Sequence, residues 1–249
     1  MSDSRSLKSS KNLISGLVQK TFALVLTFAS RTVFIKVFGI DMLGINGLFT
    51  NVLALLSLAD LGFSTAMTYS YYKPVADNDY KKIAALNHFY KKVYLTIAAA
   101  IAVIGVVLIP FLKYIINLNR EIEHLYLYYI LTLASTVVSY LFVYKTTILY
   151  ANQQGYVVAK YNMIMNVALS VSQIIFMLVF RNYIVYLSLS ILFTLINNFY
   201  VSHIVDKRFP YIKQKCSLSK AERNDIFSNL GSVFLYKVSS VLMNSTDNI

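Results

Sequence analysis

The sequence is short of the residues that disulfides, metal sites and phosphate-binding loops require. It has one cysteine, Cys216, so no disulfide can form within the chain. Its three histidines, His88, His124 and His203, lie far apart and follow none of the spacings of a metal-binding motif. Neither a glycine-rich phosphate loop nor a nucleophile motif occurs. The sequence therefore predicts no cofactor, no metal site and no catalytic residue.

Charge is also scarce. Only 14% of the 249 residues are charged, whereas soluble domains carry about 25%. Hydrophobic residues make up 57% of the chain, and they occur in blocks long enough to cross a bilayer, which takes roughly 20 residues of helix. The composition predicts an all-α protein, a polytopic transmembrane helical bundle.

Hydropathy predicts where the spans lie, and the basic residues predict their orientation. Most of the 23 Lys and Arg residues fall in the N-terminus and in the connections after the second, fourth and sixth spans. The opposite side holds at most Lys36, Lys113, Arg120 and Arg181. This asymmetry follows the positive-inside rule, so we expect a cytoplasmic N-terminus and no nucleic-acid partner. The predicted spans are 12–38, 44–72, 86–112, 122–150, 157–180, 183–205 and one that starts at 226.

A weak internal repeat suggests that the sequence is a fragment of a longer transporter. "NLISGLVQK" (12–20) and "NLGSVFLYK" (229–237) share Asn, Leu, Ser and Lys at the same spacing, and both begin a predicted span. Like-oriented halves of this kind occur in transporters. The predicted organisation is a cytoplasmic N-terminus (1–11), a six-helix lobe (12–205), a basic cytoplasmic loop (206–225) and the start of a second lobe in a truncated seventh helix (226–249).

Ionisable residues inside the apolar spans are the first candidates for function, since they are costly there. Counted from the turn near Asp41, Arg31 lies about 15 Å deep, near the middle of a core about 30 Å thick. Lys20 projects from the same helix face and is level with Asp60, near the inner interface. We expect Arg31, Lys20 and the repeat counterpart Lys237 to bind an anionic substrate. Asp60 is either an interfacial partner of Lys20 or part of a coupling site or gate.

Polar side chains also recur along the predicted spans. The fifth span carries a stripe at intervals of four, four and three residues, and the fourth span carries a row of tyrosine and threonine. Hydrogen bonds between helices would explain such groups, and so would a hydrated cavity through which sugars pass. The candidate cavity-lining residues are Asn162, Asn166, Gln173 and Tyr140.

Four motifs resemble those of a known family. They are "LGINGLF", "LSLADLGF" and "YYKPVADND" within 30–79, and "YANQQGY" at 150–156. In combination they resemble the bacterial polysaccharide flippases, the O-antigen and capsule repeat-unit transporters of the multidrug/oligosaccharidyl-lipid/polysaccharide exporter superfamily. The resemblance implies two six-helix bundles around a cavity that opens alternately to either side of the bacterial plasma membrane. It also implies export of an undecaprenyl-pyrophosphate-linked oligosaccharide with cation coupling, and polysaccharide polymerases and glycosyltransferases as further partners.

Other functions remain open from the sequence. An integral-membrane polysaccharide polymerase or glycosyltransferase would be expected to show a sizeable external loop or clustered carboxylates. A membrane scaffold would not need Arg31 at mid-depth. A cation-coupled drug exporter of the same fold would favour acidic over basic residues in its cavity.

Overall fold

The computed structural model describes residues 5–56, 63–115, 122–226 and 228, and the regular structure in these ranges is helical. Two short 3-10 turns, Ile109–Phe111 and Pro210–Lys213, follow the fourth and last helices, and residues 220–226 form a further helical segment. The α-helices are α1 (Arg5–Phe38), α2 (Ile40–Leu56), α3 (Phe63–Ala76), α4 (Tyr80–Leu108), α5 (Leu112–Ile115), α6 (Leu125–Tyr140), α7 (Val143–Ala151), α8 (Gly155–Phe180) and α9 (Tyr183–Arg208).

Several of these helices are long and apolar enough to cross a membrane. Four described segments meet that requirement, namely Gly16–Phe38, Tyr80–Phe111, Gly155–Phe180 and Tyr183–Arg208. The α6–α7 pair provides a fifth if the two helices form one broken span. The chain is therefore an all-α protein with four or five candidate membrane spans, and α2 is a shorter apolar helix.

The fourth predicted span, 122–150, is not one continuous helix. It bends by 41° between α6 and α7, around Leu141 and Phe142. In an unbroken helix the Phe142 N–H would donate to the Val138 carbonyl. Here that carbonyl accepts instead from Leu141 N at 3.3 Å and from Asn198 Nδ2 at 3.1 Å. A side chain from α9 thus provides this carbonyl with a second donor at the break.

Other boundaries differ from the hydropathy prediction by a few residues. α4 begins at Tyr80 and not at 86, because the Asp79 carboxylate accepts a hydrogen bond from Lys82 N at 2.9 Å and caps the helix. The predicted second span, 44–72, corresponds to α2 and α3, and residues 57–62 between them lie outside the described part of the chain. α9 continues to Arg208 before Pro210 opens the 3-10 turn.

Helix α4 forms the centre of the main apolar core. Its fully buried Tyr90, Tyr94 and Ile101 pack with side chains of α2, α3, α6 and α7. At Gly105 the backbone of α4 lies so close to Leu133 of α6 that a Cβ would collide with both Leu133 methyl groups. The Tyr129 hydroxyl donates to the Gly105 carbonyl at 3.1 Å across the same contact. Glycine therefore permits the closest approach between these two helices.

The two ends of the bundle differ in chemistry. At the end that we call the loop end, the turns at 77–79, 152–154 and 209–219 meet. The Arg208 guanidinium donates to the Gln154 amide oxygen at 2.8 Å, and the rings of Tyr80 and Tyr211 lie 4.4 Å apart. The opposite end, which we call the aromatic end, is closed by rings around Tyr183: Phe34, Phe38 and Tyr128 lie 5.7, 5.6 and 4.8 Å from it.

Candidate functional site

Two neighbouring polar clefts lie among α1, α2, α6, α8 and α9. The smaller one, the Arg31 cleft, has a volume of about 370 Å³ and includes Thr27, Arg31, Ser170 and Gln173. The larger one, the hydroxyl cleft, measures about 690 Å³. Asn46, Thr50 and Tyr186 line both clefts, so the two lie side by side, and we call them together the polar groove.

Arg31 gives the groove its charge. It lies within the candidate span Gly16–Phe38 of α1, which packs mainly against α8 and also against α2. Among the described residues that line the two clefts, it is the only charged one. A guanidinium remains protonated at any physiological pH and presents several donors in one plane. The Arg31 cleft can therefore attract an anion and donate two parallel hydrogen bonds to it.

Gln173 is the buried polar residue of the Arg31 cleft, with only 5% of its surface exposed. Its Nε2 donates to the Tyr186 carbonyl at 3.2 Å and to the Ser190 hydroxyl at 2.9 Å. The Ser190 hydroxyl in turn donates to the Tyr186 carbonyl at 3.4 Å. These bonds join α8 to α9 and fix the orientation of the amide.

The hydroxyl cleft presents oxygen atoms whose protons are already in use. Thr132, Thr136 and Thr194 each donate to a carbonyl one turn earlier in their own helix, at 2.8, 3.1 and 2.7 Å. Their oxygens retain lone pairs, so they can accept hydrogen bonds from a ligand rich in hydroxyl groups. Tyr140 lines the same cleft near the end of α6.

The polar residues of the predicted stripe on α8 lie in different surroundings in the structure. Asn162 accepts a hydrogen bond from Asn197 Nδ2 of α9 at 2.9 Å and so joins the two helices. Asn166 is exposed, whereas Ser170 and Gln173 line the Arg31 cleft. Lys20 is exposed on α1, eleven residues before Arg31. Asp60 and Lys237 lie outside the described residues, and with them the predicted Lys20–Asp60 pair.

Sequence reasoning did not identify Asn46, Thr50, Tyr186 or Ser190 as residues of the groove. Tyr186, Ser190 and Thr194 follow one another at intervals of four along α9, which places them on one helix face. Asn46 and Thr50 are also four residues apart on α2. This spacing was the available signal, but it identifies a polar face without showing which other helix that face meets.

A partly buried ion pair near the loop end was also missed. Lys145 Nζ donates to Asp206 Oδ1 and to the Ser202 hydroxyl, both at 2.7 Å, and only 15% of the Lys145 side chain is exposed. Lys213 Nζ lies 3.6 Å from the other oxygen of Asp206. In the sequence Lys145 resembles an ordinary flanking base, and Ser202 with Asp206 at a spacing of four was the only sign of a partner. The network joins α7 to α9 beside the α6–α7 break.

Comparisons with family models, with curated proteins and with solved structures gave no match to this chain. The flippase resemblance therefore rests on the sequence motifs alone.

Proposed function

We propose that this chain forms a lobe of a flippase that moves an undecaprenyl-pyrophosphate-linked oligosaccharide across the bacterial plasma membrane. The observation that carries the proposal is the polar groove. In it, the cleft that contains the guanidinium of Arg31 lies beside the cleft that is lined with hydroxyl acceptors, among largely apolar helices. In this proposal the α2–α3 and α6–α7 pairs each count as one span, which gives a six-helix lobe. The substrate would come from membrane glycosyltransferases and go on to a polysaccharide polymerase.

The groove suits both parts of such a substrate. A pyrophosphate offers oxygen acceptors and negative charge, which match the planar donors of Arg31. A sugar offers many hydroxyl donors, which match the acceptor oxygens of Thr132, Thr136 and Thr194. A charged residue within an apolar span is costly unless it faces a cavity or a partner, and the Arg31 cleft supplies that cavity.

We further propose that the loop end faces the cytoplasm. The connections that meet there include Arg208, Lys213, Lys215 and Lys220, whereas the short connection between α8 and α9 at the aromatic end carries Arg181 alone. Basic residues in short loops are retained on the cytoplasmic side during insertion. Arg31 would then meet the headgroup of a lipid that enters from the inner leaflet.

The test is the export activity per folded molecule of Arg31→Ala, measured in cells on the full-length protein. We expect export to fall by at least about tenfold per folded molecule, because the loss of a charge-assisted bidentate contact costs about 1.5–3 kcal/mol. Arg31→Lys should restore only part of the activity, since an ammonium keeps the charge but loses the planar pair of donors.

Lys36→Ala is the matched control. It removes a cation from the exposed surface of the same helix, five residues beyond Arg31. We expect wild-type export per folded molecule in this variant. If Arg31→Ala also exports at the wild-type rate per folded molecule, the anionic substrate is wrong for this groove.

A further inference from the structure

We infer that Gln173 is a specificity-determining residue, whose side-chain oxygen accepts a hydrogen bond from the sugar next to the phosphate. This inference rests on the proposed function, because it assumes that the Arg31 cleft holds a phosphorylated ligand. It adds that the cleft distinguishes a sugar-loaded polyprenyl pyrophosphate from the bare carrier.

The orientation of the Gln173 amide follows from its partners. A backbone carbonyl can only accept a hydrogen bond, so the atom 3.2 Å from the Tyr186 oxygen must be Nε2. Ser190 agrees with this assignment: its proton goes to the same carbonyl, so its oxygen accepts from Gln173. The two Nε2 protons therefore have partners within the protein.

The oxygen of the amide has no partner among the described residues. Gln173 is 95% buried, lines the Arg31 cleft, and makes its described hydrogen bonds through Nε2 alone. Oε1 is not fully enclosed by protein atoms, so it remains accessible from the cleft. A ligand that displaces water from this oxygen loses free energy unless it donates a hydrogen bond in return. Oε1 is thus a fixed acceptor in the same cleft as the guanidinium of Arg31.

Gln173 Oε1 and Arg31 interact with different parts of a ligand, the first with hydrogen-bond donors and the second with negatively charged acceptors. Phosphate oxygens are acceptors at neutral pH, so they bind Arg31 and gain nothing from Oε1. A sugar ring attached to the phosphate carries hydroxyl or amide N–H donors that can satisfy Oε1. The bare carrier has no such donor, and where it displaces water from this oxygen it leaves the oxygen without a partner. Sites built to hydrogen-bond a substrate group reject an analogue that lacks it.

Binding of three probes to the full-length protein in lipid nanodiscs tests this inference. The probes are farnesyl pyrophosphate, glucosyl pyrophosphoryl farnesol, and the same compound with a cyclohexyl ring in place of glucose. We expect the wild type to bind the glucosyl probe at least about fivefold more tightly than the cyclohexyl probe, which fills the same space without donors. Equal affinity for these two probes would overturn the inference.

Three variants separate this role from the phosphate site. Gln173→Leu should bind the glucosyl and cyclohexyl probes equally, and it should bind the cyclohexyl probe at least as tightly as the wild type does. Ser172→Ala, the matched control on the same helix, lines neither cleft and should keep the glucosyl preference. Arg31→Ala should weaken the binding of all three probes.

The outcomes of the two proposals differ. If Arg31→Ala weakens every probe but Gln173→Leu keeps the preference, Gln173 is not the discriminating residue and the flippase proposal stands. If Arg31→Ala changes none of the affinities, the phosphate site itself is wrong. Gln173→Leu also removes two bonds between α8 and α9. If it fails to fold, the comparison of the glucosyl and cyclohexyl probes on the wild type still decides the matter.

Discussion

At the scale of single residues, the groove combines a charge with neutral acceptors of fixed direction. Arg31 supplies the charge, and Gln173 and the threonines of the hydroxyl cleft supply the acceptors. Arg31 and Gln173 could each be identified from the sequence, Arg31 by its depth and Gln173 by the spacing of its stripe. That they line one cleft could not, because it depends on how α1 packs against α8.

Gly105 provides a test of packing at this scale. Gly105→Ala should destabilise the protein by about 1–3 kcal/mol, because the new methyl group overlaps both methyl carbons of buried Leu133. The measurement is the thermal unfolding of the purified protein in detergent, followed by circular dichroism. Gly44→Ala is the matched control, since a Cβ at Gly44 has no atom within 4 Å and alanine favours the helix.

A second substitution separates the clash from other causes. In the Gly105→Ala background, Leu133→Ala removes the methyl groups that the new Cβ meets. The double variant should therefore be less destabilised than the sum of the two single variants. Strict additivity of the two losses would show that the Gly105–Leu133 contact is not the cause.

At the scale of elements, hydropathy predicted the long helices but did not predict the break within the span 122–150. The ends of α8 and α9 match the hydropathy prediction closely, whereas α1 ends as predicted at Phe38 but begins already at Arg5. The break at Leu141 and Phe142 contains neither proline nor glycine. It is stabilised by Asn198 of α9, which lies 60 residues after its partner Val138, so no local pattern could indicate it. The Lys145–Asp206 pair depends on the same long-range packing of α7 against α9.

The Glu222 carboxylate joins the helical segment 220–226 to α4. Glu222 accepts hydrogen bonds from Lys82 Nζ, from Ser219 N at 2.7 Å and from the Ser219 hydroxyl at 2.9 Å. Glu222 N donates back to the Ser219 hydroxyl, which completes a capping box. These bonds, that from Lys82 first, lower the pKa of Glu222 from 4.5 to about 2. The ionised form is therefore favoured in the folded protein.

The lowered pKa predicts how the attachment depends on pH. A depressed pKa stabilises the folded arrangement fully above about 4.5, and this stabilisation is lost as the pH falls towards about 2. In a Cys216→Ser background, we expect the distance between spin labels on Asn224→Cys and on Lys81→Cys, both at exposed positions, to be narrowly distributed at pH 6 and broad at pH 3. Glu222→Gln should show the broad distribution at both values, whereas Lys220→Gln, on the same helical segment, should behave as the wild type. A narrow distribution in Glu222→Gln at pH 6 would contradict this role.

At the scale of the whole molecule, the orientation in the membrane is inferred from the difference between the two ends of the bundle. The turns at 77–79, 152–154 and 209–219 meet at the loop end, which contains the charged connections. Tyr183 and its neighbouring rings close the aromatic end. The proposal that the loop end faces the cytoplasm rests on the positive-inside rule.

Accessible cysteines at the two ends test the orientation. Cys216 itself is half-buried and packs against the main core, so low labelling of it would not report its side of the membrane. Two single-cysteine variants avoid this problem in a Cys216→Ser background: Ser217→Cys at the loop end and Glu123→Cys beside the start of α6, both at exposed positions. We expect a membrane-impermeant thiol reagent to label Glu123→Cys in intact spheroplasts and to label Ser217→Cys only after permeabilisation. The reverse pattern would place the loop end outside the cell and would overturn the proposed orientation.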